Sequence, residues 1–150
     1  MNESLENISV DHKVIGFCLK HDFFNKVKNI LDEEMFTGQL KELFRSISYA
    51  HTNYEKDLTK DELFALHVDK HPAMPSSSKK ELSLVVESLP PDANNHDLQM
   101  DVVKNFWLRD RARIIGEKAI SIFTGQGEDF GELQRIMDTV EDGRMENKTT

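Results

Sequence analysis

The sequence predicts an all-α protein, built as a compact head of about five helices followed by a long helical hairpin. Three observations carry that reading. Apolar residues recur three and four positions apart along almost the whole chain, the signature of helices with one buried face. The prolines, Pro72, Pro75, Pro90 and Pro91, fall between those runs and break them. From Asp97 to Phe123 there is no proline and a single glycine, Gly116, which predicts one helix of about 27 residues, roughly 40 Å at 1.5 Å per residue.

Taken in order, Ser9 is placed to cap a first helix over about 10–20, with Val14, Ile15 and Cys18 on one face. Asp22 is placed to cap a second over 23–31, striped by Phe23, Val27, Ile30 and Leu31. The acidic run that follows, then Met35-Phe36-Thr37-Gly38, predicts a turn that drops an aromatic into the core. Leu40, Leu43, Phe44 and Ile47 give the face of a third helix over about 39–51. Thr59 with Glu62 three residues on is a capping box, opening a fourth helix that runs to about Lys70. Ser76 to Ser78 start a fifth, ending near Ser88, with Leu82, Val85, Val86 and Leu89 buried. Beyond the long helix, Gly125-Gln126-Gly127 predicts a turn, and Asp129 opens a last helix to Glu141 carrying Phe130, Leu133, Ile136, Met137 and Val140. The reading divides the chain into a head over 1–92, a hairpin over 93–143 belonging to the same unit, and a polar tail over 144–150.

At 150 residues the chain is the size of one domain. Its 38% hydrophobic and 31% charged residues fit a globular protein rather than a disordered one. The net charge of −8 makes it a poor grip for a phosphate backbone, so no direct DNA contact is expected of this domain. The N-terminus lacks a basic segment followed by an apolar one, and no run reaches the length of a membrane span. A cytoplasmic protein is expected, with no membrane partner. Cys18 is the only cysteine, so no intramolecular disulfide can form, and its apolar neighbours suggest a buried thiol.

Little in the sequence suggests catalysis. No glycine-rich loop of the Walker type is present, and Gly125 to Gly131 has the wrong spacing for a dinucleotide fingerprint. His67 and His71 share a helical face in the manner of a metal pair, but no third ligand motif accompanies them and no metal is expected. Cys18 and His21 are close enough to touch but have no oxyanion site around them. No catalytic residue is therefore assigned. Arg109, Arg111 and Arg113, beside Trp107, form the one basic cluster, a candidate patch for phosphate or an acidic partner.

The long helix carries two apolar stripes. Leu108, Ala112, Ile115, Ala119 and Ile122 make one, which pairs with the hairpin neighbour. Val103, Trp107 and Ile114 make a second, about 100° around the axis, and this one is expected to face another chain.

In order, these elements resemble the N-terminal domain of the DnaB-type replicative DNA helicases, particularly the versions carried by tailed bacteriophages. The stretches that carry the likeness are DHKVIGFCLKHDFFNKVKNIL, EEMFTGQLKELFRSI, DVVKNFWLRDRARIIGEKAISIF and GEDFGELQRIMDTVED, covering roughly residues 8 to 142. The chain departs from the family at YEKDLTKDE and PAMPSSS, before the fourth and fifth helices. The resemblance implies a helical head with a hairpin, pairing of hairpins between subunits into a dimer or a hexameric ring collar, and docking of a primase or helicase loader. It also implies that unwinding, with its ATP and Mg, belongs to a RecA-like motor that follows in the family and has no counterpart in this sequence, which thus reads as an excised piece or natural truncation. The setting would be the cytoplasm of a bacterial host. The residues expected at the pairing surface are Val103, Trp107, Ile114, Phe130, Leu133, Ile136 and Met137. The alternative is a stand-alone helical adaptor or regulator that binds one protein partner.

Overall fold

A computed structural model describes residues 9–90, 96–126 and 130–143. Among them the fold is all-α: α1 (Val10–Phe17), α2 (His21–Val27), α3 (Gly38–Asn53), α4 (Lys60–Lys70), α5 (Ser76–Glu87), α6 (His96–Phe123) and α7 (Phe130–Glu141), with a 3₁₀ turn at Glu33–Met35. None of these helices is long and apolar enough to cross a membrane.

The ends of the elements follow from local hydrogen bonding. Thr59 and Glu62 close the expected capping box, Thr59 Oγ1 accepting from the Glu62 N–H at 3.1 Å and Glu62 Oε1 from the Thr59 N–H at 2.9 Å. Carbonyls at and just beyond the end of α5 are met by a cation: Lys60 Nζ donates to Glu87 O at 3.2 Å and to Leu89 O at 2.7 Å. α6 stops in a Schellman turn, with Gln126 N–H on Ser121 O, Gly125 N–H on Ile122 O, and Gly125 at φ +74°. Gly127 and Asp129, placed by the sequence reading in the turn and at the start of the last helix, lie outside the described residues, as do residues 91–95 at the expected head–hairpin boundary and the 144–150 tail.

The boundaries of α1 and α2 differ from expectation, and α2 ends at Val27, short of the expected Leu31. α1 ends at Phe17 rather than at Lys20, because Cys18 N–H is shared between Val14 and Ile15 carbonyls and Leu19 O is taken by the Leu58 N–H at 2.8 Å. α2 starts at His21 with Lys20 as its N-cap, not with Asp22. Asp57 supplies the missing acceptor from outside the helix, its Oδ1 taking the His21 N–H at 2.9 Å.

The core is one cluster drawn from six helices. Val14, Ile15 and Cys18 meet Phe23 and Val27, Leu43 and Ile47, Leu63, Leu82 and Val86, and finally Val103 and Phe106 of α6. Phe36, dropped inward by the 3₁₀ turn, stacks between Phe44 of α3 (5.0 Å) and Phe106 of α6 (5.1 Å). That aromatic bridge ties the root of α6 to the head, so the hairpin is an outgrowth of the head's own core.

α1 approaches the end of α5 closely at one glycine. A Cβ on Gly16 would stand 2.5 Å from Pro90 Cδ, and Pro90 is itself buried. Gly16→Ala gains roughly 1 kcal/mol of helix propensity yet is expected to destabilise the fold by about 1–2 kcal/mol net, since the rigid ring must move. Urea unfolding checks this; a stabilised variant would contradict the close approach.

Candidate functional site

The hairpin is built on one face of α6. Val103 and Trp107 are fully buried, and Phe106 is nearly so. Further along, Ile114 and Lys118 share the lining of one cavity of about 250 Å³ with Glu132 and Ile136 of α7 and with Met35 of the 3₁₀ turn. Lys118 Nζ reaches Glu132 Oε1 at 3.3 Å across the hairpin. Leu133 and Ile136 of α7 are buried.

This arrangement corrects the expected roles of the two stripes. Val103 and Trp107 are not presented to another chain, because successive turns of the same face first enter the head's core and then meet α7. Ile114 is half-buried at the cavity, and Leu133 and Ile136 are withdrawn from solvent on the facing arm. The stripe expected to pair with α7 is the more open one: Leu108, Ile115 and Ile122 are half-buried, and Ala112 and Ala119 exposed. Of the seven residues expected at a pairing surface, only Phe130 (70% exposed) and Met137 (44%) stand in solvent. Two that the periodicity did not single out join them from α6, Ile120 at 64% and Phe123 at 90%. Their signal in the sequence was an Ile and a Phe three apart, immediately before the glycine turn.

The three arginines are not brought together. Steps of two along a helix turn about 200°, so Arg111 points away from Arg109 and Arg113. Arg111 is 4% exposed, donates from Nη2 to Asp110 Oδ2 at 3.2 Å, and lies with its Cζ 5.9 Å from the Trp107 ring centroid. Arg113 Nη2 donates to Asp110 Oδ1 at 2.7 Å and its Nη1 to Glu117, and the first of these bonds raises its pKa. Arg109 is exposed on the same face as Arg113. A shared phosphate patch is therefore not formed. What the sequence reading missed here is the buried Asp110–Arg111 pair at the root of the hairpin.

The other candidates resolve into structural contacts. His67 is turned inward, its Nδ1 2.7 Å from the buried Ser46 Oγ, and burial lowers its pKa. His71 closes α4, with Nδ1 donating to His67 O at 2.8 Å and its ring stacked on His67 at 4.3 Å. Among the described residues no group of three or more His, Cys, Asp or Glu is placed to hold a metal ion. The Cys18 thiol is buried and pushed up to about 12, which keeps it protonated and unreactive as a nucleophile at neutral pH. Its carbonyl, rather than its sulfur, meets a histidine: His51 Nε2 donates to Cys18 O at 2.7 Å.

Compared with known proteins, the chain matches no family model, no curated protein and no solved structure. The surface chemistry is thus the remaining guide: large apolar side chains exposed on both arms of a hairpin rooted in a well-packed head.

Proposed function

We propose that this chain is the assembly and partner-docking domain of a replicative DNA helicase of the DnaB type. The observation that carries the reading is the exposure of Ile120, Phe123, Phe130 and Met137 on the two arms of the hairpin, in a chain whose element order is a helical head followed by that hairpin. Large apolar side chains left in water on both arms suit burial against another protein surface. A second copy is the occupant we assign, since the same hairpin offers its apolar residues to an identical one about a two-fold axis. The function is geometric. Pairing of hairpins sets the symmetry of a ring collar, and the head is left free to receive a primase or a helicase loader. ATP hydrolysis with Mg, and strand separation, belong in this reading to the motor domain of the parent protein.

The test is light-scattering mass across a concentration series. The chain is expected to form a dimer or a multiple of it. Phe123→Ser with Phe130→Ser is expected to reduce the mass at least twofold while leaving the helical circular dichroism unchanged, because neither side chain contributes to the core. A monomer at every concentration overturns assembly through the hairpin and leaves an adaptor that docks a different protein.

A further inference from the structure

Two imidazoles that stand 30 residues apart in sequence meet between the first residue of α2 and the last turn of α3. His21 Nδ1 and His51 Nδ1 are 2.9 Å apart, with ring centroids 5.0 Å apart. The rings therefore meet nearly nitrogen to nitrogen, the geometry of a shared proton. Two ligands of one metal ion would converge on a third point instead.

The partners assign each proton. Cys18 O only accepts, so His51 carries hydrogen on Nε2 and, when neutral, offers a lone pair at Nδ1. His21 Nδ1–H donates to that lone pair. His21 Nε2 is then an acceptor, met by the Asn25 side-chain amide at 3.1 Å. Each ring nitrogen of the neutral pair is used once.

We propose that His21 and His51 form a proton-counting latch, closed while the pair carries at most one extra proton and released when both rings are charged. A proton on the half-exposed His21 Nε2, with the Asn25 amide reversed to present its oxygen, leaves the Nδ1–H···Nδ1 bond in place. A second proton must take the lone pair of His51 Nδ1. Both facing atoms are then donors on cations, and the bond between the helices is lost.

The surroundings bear on both steps. From the residue that follows α1 come the Cys18 carbonyl and thiol, the latter neutral throughout, and Lys20 follows in the connection to α2. Asp57, from the loop before α4, holds the His21 N–H and lies 3.6 Å from Lys20. Lys28 after α2 and Glu55 after α3 line the same cavity of about 320 Å³ as the two rings. Phe24 stacks on His51 at 4.8 Å. Burial holds the folded His51 below its ordinary value of 6.5. The sign follows: stability from His51 is complete above that value and is lost as pH falls below it, because there the unfolded imidazole binds a proton that the folded one does not.

Nitrogen-15 NMR of the imidazoles of the whole chain, from about pH 8 to about pH 5, spans the range in which histidine changes charge. A nitrogen–nitrogen coupling across the Nδ1–H···Nδ1 bond is expected at neutral pH, persisting through a first titration step and vanishing at a second. His21→Ala is expected to reduce the two-step curve of His51 to one step, while His67, bonded to Ser46, titrates as before. Absence of the coupling in the unaltered chain overturns the latch even if the variant fails to fold. So does a His51 curve that His21→Ala leaves unchanged.

Discussion

Trp107→Ala is expected to lower the unfolding free energy by about 3–5 kcal/mol, the usual cost of deleting a fully buried indole. Against a total of about 5–15 kcal/mol for a domain, that loss is large enough to leave part of the chain unfolded at room temperature. The size of the effect comes from position. Trp107 is 0% exposed and sits on α6 one turn beyond Val103 and beside Phe106, where the helix passes from the head to the hairpin. Nothing small can fill that space without moving α6 relative to both. Urea unfolding followed by circular dichroism measures the loss. Trp107 is also the only tryptophan, so its emission in the unaltered chain reports the site directly and should be blue-shifted until the head unfolds. The opposite outcome is equally clear: a variant of unchanged stability but halved mass would place the indole between chains. Trp107→Phe should retain most of the stability, since an aromatic ring still spans the junction.

The reason the sequence alone pointed the other way is physical. Periodicity fixes the angle between two stripes on a helix, and it does so correctly for Val103, Trp107 and Ile114 against Leu108, Ile115 and Ile122. It carries no information on which stripe the rest of the chain covers. Local signals were the more legible ones. The Thr59–Glu62 box, the glycine turn after Phe123 and the inward Phe36 are each specified within a few residues, and each is found in place. Contacts between distant segments were not legible. Asp57 capping α2, Gly16 beneath Pro90, and the His21–His51 bond each join residues that no local pattern relates. The arginines show the same limit at shorter range. Counting charges grouped Arg109, Arg111 and Arg113, whereas helical geometry sends the middle one inward to Asp110.

That inward arginine sets the second large effect. Asp110→Ala is expected to cost about 3 kcal/mol or more, because it removes the carboxylate facing a guanidinium that is 4% exposed. Asp110 itself is 8% exposed and accepts from two cations, Arg111 Nη2 at 3.2 Å and Arg113 Nη2 at 2.7 Å. Of these, the Arg111 bond decides the cost. Arg113 is half in water and keeps Glu117, so its loss is screened and small. Arg111 cannot reach solvent without disturbing its packing over Trp107. Desolvation of the pair means that its presence is not itself a source of much stability, and removing both charges tests that point. Asp110→Ala with Arg111→Met is expected to recover most of the loss, since a flexible apolar chain fills the space of the arginine stem without a charge to solvate. If instead the double variant is as unstable as Asp110→Ala, the pair acts through hydrogen-bond geometry at the hairpin root rather than through mutual neutralisation. Asp110→Asn separates these further, because it keeps an acceptor toward Arg111 while removing the charge. A loss of stability close to that of alanine would assign the effect to charge, and a loss near zero would assign it to the hydrogen bond.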